Sequence, residues 1–168
     1  DNQYAKMINQ KVNYLLGQPL TFDTDNSVYE DALKKVLNKK FQRLLKNLGE
    51  DSLNGGIGWL HPYYNEAGEL AFKKFEPYEI LPFWQDAAHT TLDAAVRVYE
   101  VEAYEGLQEM IIEKVEIYTI DGIERFEFRN GSLIPDVENP SGTHMVMIDA
   151  DGKESGYKIG RASCRERV

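Results

Sequence analysis

From its first residues the chain places apolar side chains at helical spacing. Tyr4, Ile8, Val12, Leu15 and Leu16 form one stripe, with Lys6, Asn9, Gln10 and Asn13 around the rest of the turn. Gly17 follows the stripe and Pro19 stands two residues on, the usual way to stop a helix. Residues 19–22 (PLTF) are short, β-prone and bounded by Asp23, Asp25 and Asn26, and predict a short strand or extended connection. Ser27 and Glu30 have the spacing of a capping box. Behind them Leu33, Leu37, Phe41, Leu44 and Leu48 recur at three- and four-residue intervals, predicting one long amphipathic helix or two end to end. Gly49 costs about 1 kcal/mol relative to alanine inside a helix, yet Leu53 continues the stripe from Leu45. The helix is therefore expected to run on to Gly55-Gly56. An aspartate at Leu15 or Leu44 is expected to prevent soluble folding, because each would place a charge in the proposed core.

After Gly58 the period changes to two. Residues 59–64 and 70–75 flank the turn Asn65-Glu66-Ala67-Gly68 and read as a hairpin, with Pro62 limiting the first strand to an edge or a bulge. Residues 76–84 predict a single turn and a short extended stretch. Three alternating segments follow, 95–104, 114–120 and 123–129. The turns Tyr104-Glu105-Gly106 and Ile120-Asp121-Gly122 join them as an antiparallel meander. Asn130-Gly131 opens another turn, residues 135–142 read as loop, and 144–148 suggest a last strand. The class is α+β: N-terminal amphipathic helices over 1–56, then a mainly β region over 57–150 built as an antiparallel meander.

A chain of 168 residues is long enough for one ordinary core, hence one domain or a piece of a larger one. No apolar run approaches the roughly 18–20 residues of a membrane helix. The start, Asp1-Asn2-Gln3-Tyr4, has neither the basic nor the apolar region of a secretion signal, nor an initiator Met, so the chain is expected to begin inside a longer protein. The net charge of −9 argues against a nucleic-acid grip made by a basic surface, although an acidic wall past which DNA slides remains compatible. More often such a balance is only a solvated surface. The last ten residues, IGRASCRERV, match the translation of a common sequencing adapter (ATC GGA AGA GCG TCG TGT AGG GAA AGA GTG), so 159–168 are expected to be a non-native tail and the frame to be cut after Lys158. Removing the tail's three arginines and one glutamate, a contribution of +2, takes the net charge from −9 to −11. It also removes Cys164, the one cysteine, and with it disulfides and thiolate metal sites.

Residues that could carry chemistry fall short of a pattern. His61, His89 and His144 share no metal-ligand spacing. Carboxylates are numerous but spread over helix and strand faces expected to be exposed, and no acid–base pair stands out. Gly55-Gly56-Ile57-Gly58 lacks a following Lys-Ser or Lys-Thr and precedes a strand, so it does not open a phosphate-binding helix; Gly152-Lys153-Glu154 fails the same test. Ser132, Ser141 and Ser155 are read as turn residues without a nucleophile elbow. The aromatics Trp59, Tyr63, Tyr64, Phe72, Phe75, Tyr78, Phe83 and Trp84 could form a base-stacking platform, but aromatic strand residues are more often core. No residue is assigned as catalytic, cofactor-binding or metal-ligating, and no cofactor is expected.

Two stretches carry a resemblance. Residues 10–22 (QKVNYLLGQPLTF) resemble the N-terminal signature of portal proteins from tailed bacteriophages, the siphophages of Gram-positive hosts, in which a helix ending Tyr-Leu-Leu-Gly-x-Pro leads to a short strand. The second runs from Leu44-Leu45-Lys46-Asn47-Leu48 to Gly58-Trp59-Leu60. It continues through the acidic hairpin 65–69 and 77–84 (PYEILPFW), with a further echo at 92–99 (LDAAVRVY). The resemblance spans most of 1–130 and weakens after Pro135. It implies a partial portal wing domain over 1–158 and a structural, non-enzymatic role, since the motor hydrolyses ATP. It further implies a homo-oligomeric ring, usually a dodecamer, at the capsid vertex of the virion, assembled in the bacterial host cytoplasm. Its implied partners are terminase, scaffold or capsid, and head-completion proteins, with DNA passing through the channel. The channel-lining elements would lie downstream, so no DNA-contacting residue is assigned, and the segment alone is expected to be a monomer or loose aggregate. The alternatives are a small adaptor or minor head protein, which a stop codon soon after residue 158 would favour, and a hydrolase with a convergent acid–base pair in a pocket.

Overall fold

A computed structural model describes residues 2–65, 67–105, 108–148 and 154–157. The chain divides into two compact units, Asp1–Tyr78 and Glu79–Val168.

The first unit holds three helices and a hairpin. Helix α1 (Gln3–Leu16) starts at Asn2, whose side chain accepts a hydrogen bond from the Ala5 amide, and its fully buried residue is Val12. It lies antiparallel to α3 (Lys39–Gly55): Tyr4 Oη donates to Asn54 Oδ1 at one end, and Gln42 Nε2 donates to the Gln18 carbonyl at the other. Gly49 lets the two helices approach, because a Cβ there would stand 2.9 Å from Leu16 Cδ1. That contact explains a glycine in a helix interior. The stripe facing α3 thus runs through Ile8, Val12 and Leu16. Leu15, assigned to the core from its spacing, is instead 71% exposed. Two adjacent helical residues point about 100° apart, so only one of Leu15 and Leu16 can face α3. Leu15→Asp is therefore not expected to prevent folding, and Leu44 is half-buried.

Residues 19–22 form a connection without strand pairing. Helix α2 (Ser27–Val36) is capped one residue earlier than the sequence suggested: Asn26 Oδ1 accepts from the Tyr29 amide, Ser27 is already helical, and Glu30 pairs with Lys34 at 2.6 Å in place of closing a capping box. Of the two arrangements expected for the long apolar run, the chain adopts two helices. Asn38 makes the break. Its Oδ1 accepts from the Lys40 and Phe41 amides at the start of α3 while its Nδ2 donates to the Lys35 carbonyl at the end of α2. Helix α3 runs through Gly49 and stops at Gly56, whose φ of +79° favours glycine.

Strands β1 (Trp59–Tyr64) and β2 (Leu70–Phe75) form the expected hairpin, pairing from Trp59↔Phe75 to Tyr64↔Leu70. Asn65 Oδ1 accepts from the Ala67 and Glu69 amides in its turn. Phe41 of α3 meets Phe72 of β2 edge-on at 4.9 Å, and Asp51 of α3 binds Lys74 at 2.7 Å, so α3 packs on this hairpin.

The second unit is an antiparallel meander. A 3-10 turn at Pro77–Glu79 leads to β3 (Ile80–Trp84), β4 (Leu92–Glu105), β5 (Gln108–Tyr118), β6 (Ile123–Arg129) and β7 (Ser132–Pro135), arranged in the sheet in that order. The three expected strands are present, the first two longer than predicted. Strand β7 fell where turn and loop were expected. Asn130 (φ +50°) and Gly131 (φ +79°) form the tight turn before it. A separate pair joins β8 (Met145–Ile148) to β9 (Glu154–Tyr157); the first was expected and the second was not. The adapter-like tail, with Cys164, and Gly152-Lys153 lie outside the described residues. The chain is thus α+β, helices first and antiparallel strands after.

Candidate functional site

Strand register builds the most organised polar cluster. On one face of the five-stranded sheet, Arg97 of β4, Glu116 of β5 and Arg125 of β6 stand side by side. Arg97 Nε binds Glu79 at 2.8 Å and its Nη1 binds Glu116 at 3.3 Å, while Arg125 Nε reaches the other oxygen of Glu116 at 3.4 Å. Tyr118 Oη donates to Glu116 at 2.8 Å, and the Arg97 guanidinium lies 3.8 Å from the centre of the Tyr99 ring. Burial, and after it the negative charge of Glu116, push the Tyr118 phenol far above its ordinary value, so it stays a donor.

Next to this row lies a second group. Lys114 of β5 binds Asp136 at 2.8 Å, with Glu127 at 3.7 Å and the exposed Glu138 at 3.8 Å. Lys114 and Asp136 are buried, Asp136 to 4% exposure. Asp136 Oδ1 also accepts from the Glu138 and Asn139 amides. Burial alone would raise the Asp136 carboxyl, but the Lys114 ammonium and the hydrogen bonds from Asn139 outweigh it and hold the pKa below the ordinary 3.8. Burial likewise opposes the charge on Lys114, yet Asp136 holds its pKa above 10.5. The segment after β7 is tied to the sheet by these bonds, by Arg125 Nη1 donating to the Pro140 carbonyl, and by the backbone bridge between Ile123 and Gly142.

This cluster corrects the reading that the strand carboxylates are exposed, since Glu116 of β5 is buried with guanidinium partners; Asp136, just after β7, is likewise buried with an ammonium partner. Each acidic group is neutralised by a cation, which is the chemistry of a structural clamp. The alternation of Arg97, Glu116 and Arg125 in their strands was visible in sequence; their burial was not.

The residues weighed individually disperse. His61 in β1 stacks on Phe75 at 5.5 Å, His89 stacks on Trp84 at 5.3 Å in the β3–β4 loop, and His144 is buried just before β8. Among the described residues no group of three or more His, Cys, Asp or Glu side chains is placed to hold a metal. Ser132 opens β7 and Ser155 falls within β9, so neither is the turn residue it was read as; Ser141 is in a loop, where its Oγ accepts from the Arg125 amide. The aromatics do not form one platform. Phe75 is core, Tyr78 and Phe83 are exposed, and Lys73 Nζ sits 5.1 Å from the Phe75 ring centre. In the first unit a groove of about 510 Å³ opens between α2–α3 and the hairpin, lined by Val36, Phe41, Leu44, Leu70 and Phe72, with the 3.0 Å Lys35–Glu69 pair at its rim. None of the described helices is long and apolar enough to cross a membrane.

Comparison with known proteins identifies relatives of the chain. The chain is 27% identical over 137 residues to the portal protein of Bacillus phage SPP1, an alignment covering 76% of this chain and 27% of that one. It is 28% identical over 138 residues to the portal protein of Clostridium phage phiCD119, covering 76% of this chain and 31% of that one. The chain therefore spans less than a third of the length of these relatives. The family model described as phage portal protein, SPP1 Gp6-like, matches residues 2–152, from the start of α1 past β8, and the chain belongs to that family.

Proposed function

We propose that this chain is a partial wing domain of a structural portal subunit. The whole protein forms a homo-oligomeric ring, a dodecamer, at the capsid vertex of the virion. DNA enters and leaves through that ring, and terminase, scaffold or capsid, and head-completion proteins dock on it. The single observation that carries this reading is the family match over residues 2–152, which takes in both units in order. The physical character of the chain supports it. Buried apolar side chains among the described residues are few (Val12, Phe75, Ala95, Val115 and Ile123), while Leu81, Phe83, Val98, Phe128 and Leu133 are exposed. Register places those last five on the sheet face opposite the ionic cluster. A one-sided sheet with apolar residues on its open face suits a subunit that packs against others. The wing's role is packing, and the work of ATP hydrolysis belongs to the motor.

The test is assembly of the chain extended to its relatives' length, followed by electron microscopy and native mass spectrometry. Closed rings of one stoichiometry are expected. A protein that stays monomeric at every concentration, or forms only open aggregates, would refute the reading.

A further inference from the structure

Strands β4 and β5 outrun the sheet that holds them. Strand β3 pairs with β4 only as far as Arg97, and β6 pairs with β5 only from Glu113 onward. From Val101↔Ile112 to Glu105↔Gln108 the two strands pair with each other alone. Five residue pairs at about 3.4 Å each make a ribbon about 17 Å long. A free two-stranded ribbon is marginal in water and exposes backbone on both edges. This one also exposes Tyr104 (70%) and Ile111 (65%).

Alternation puts Glu100, Glu102, Tyr104, Glu109, Ile111 and Glu113 on one face of the ribbon and its base. Glu100 stands directly opposite Glu113, a repulsive cross-strand pair. None of these four glutamates has an ion-pair partner among the described residues. The face therefore fits a partner that is cationic around a small apolar centre.

The chain supplies the cationic part of such a surface. Residues 1–78 contain ten Lys/Arg and ten Asp/Glu, whereas 79–158 contain six and seventeen. Within the first set, no acidic residue occurs between Asp31 and Glu50, and Lys39, Arg43 and Lys46 follow one line along α3. That line is about 10 Å long at 1.5 Å per residue. The four-residue spacing of Glu109 to Glu113 is about 14 Å along a strand. None of the three cations has an ion-pair partner among the described residues.

We infer that the β4–β5 ribbon is a docking arm for a second copy of this chain, its acidic face meeting the Lys39–Arg43–Lys46 line of that copy's α3. Two different patches joined head to tail are what a ring of identical subunits requires. The inference rests on the ring reading and names one of its contacts.

Sedimentation velocity of the chain at low and high salt tests it, with two charge-reversed variants: Lys39→Glu/Arg43→Glu/Lys46→Glu and Glu100→Lys/Glu102→Lys/Glu113→Lys. Circular dichroism checks that both fold as the parent. In place of the monomer or loose aggregate expected from the sequence, the parent is expected to self-associate at low salt and to dissociate as salt screens the charges. Each variant alone should associate at least roughly tenfold more weakly. An equimolar mixture of the two should regain the parent's association, because opposite signs then meet at both patches. Variants that associate like the parent, a mixture that fails to recover, or a parent that stays monomeric would overturn the arm. Rings formed by the extended chain carrying either variant would leave the portal reading standing while removing this contact from it. Salt-sensitive binding of duplex DNA that disappears with the α3 variant, without any self-association, would reassign the helix line to nucleic acid.

Discussion

Replacing Asp136 by asparagine keeps the side chain's shape and the Oδ1 that accepts from the Glu138 and Asn139 amides. It removes the charge that Lys114 faces at 2.8 Å. Breaking one partner of a buried pair typically costs about 3–5 kcal/mol, because the remaining ion is left uncompensated. Glu127 at 3.7 Å still faces Lys114 and lowers that figure, so the expected loss is about 2–3 kcal/mol. Lys114→Met should cost about as much, while the double variant should cost only about as much as either single variant and not their sum, giving a coupling energy of about 2–3 kcal/mol. The assay is urea unfolding followed through Trp84 in a Trp59→Phe background, so that the one tryptophan left reports on the sheet. With a slope of about 1–3 kcal/mol per molar urea, each single variant lowers the midpoint by about 0.7–3 M. The pH dependence separates charge from shape. Asp136 has a folded pKa below its ordinary 3.8, so its contribution is full above about pH 4 and is lost as pH falls through the lowered value. Lys114 has a folded pKa above 10.5, so its contribution is full below that pH and is lost as pH rises through the raised value. The gap between parent and Asp136→Asn should be constant between these limits and close in acid. A loss under about 0.5 kcal/mol, the scatter of ordinary surface changes, or a zero coupling would show that the clamp is not what holds residues 136–144.

Three further outcomes follow from packing. Val12→Asp should unfold the helical unit at ordinary temperature, whereas Leu15→Asp, on the exposed side of α1, should change its stability by no more than about 0.5 kcal/mol in thermal melts. Gly49→Leu should cost about 1–3 kcal/mol, because Leu16 already stands where a side chain would go; unchanged melting would mean α1 and α3 are not in contact there. Gly122→Ala should cost about 2–4 kcal/mol, since φ is +154° and the new methyl would run into the Gly142 carbonyl. Hydrogen exchange at Ile123 and Gly142, whose amides bond each other's carbonyls, should then accelerate.

Where the sequence reading worked, a local rule and the tertiary structure agreed. The β1–β2 hairpin is one case, with Asn65 and Gly68 punctuating two alternating runs, and the α3 stop at Gly55-Gly56 is another. It missed by one residue at Asn26 and Ser27, both good caps, because only the chain's path decides whose side chain reaches the Tyr29 amide. Leu15 failed for a related reason: the apolar stripe of α1 is wide enough to offer two faces, and α3 takes one of them. Strands β7 and β9 are four residues long and contain proline or glycine, so pairing with β6 and β8 defines them more than their own composition does. The ionic cluster was beyond reach because burial of Glu116, Lys114 and Asp136 depends on 136–144 returning to the sheet. Lys39, Arg43 and Lys46 were legible as charges at helical spacing, but the overall acidic balance concealed them.

The strand order β3-β4-β5-β6-β7 has a kinetic meaning. Every neighbour in the sheet is also a neighbour in sequence, and the helical unit is complete by Tyr78. Contacts so local close small loops, which makes for fast folding and lets each strand add to a template already emerged from the ribosome. A newly made chain can therefore finish its own sheet early, before it meets another copy, and the slow step in building a larger assembly becomes encounter between finished subunits.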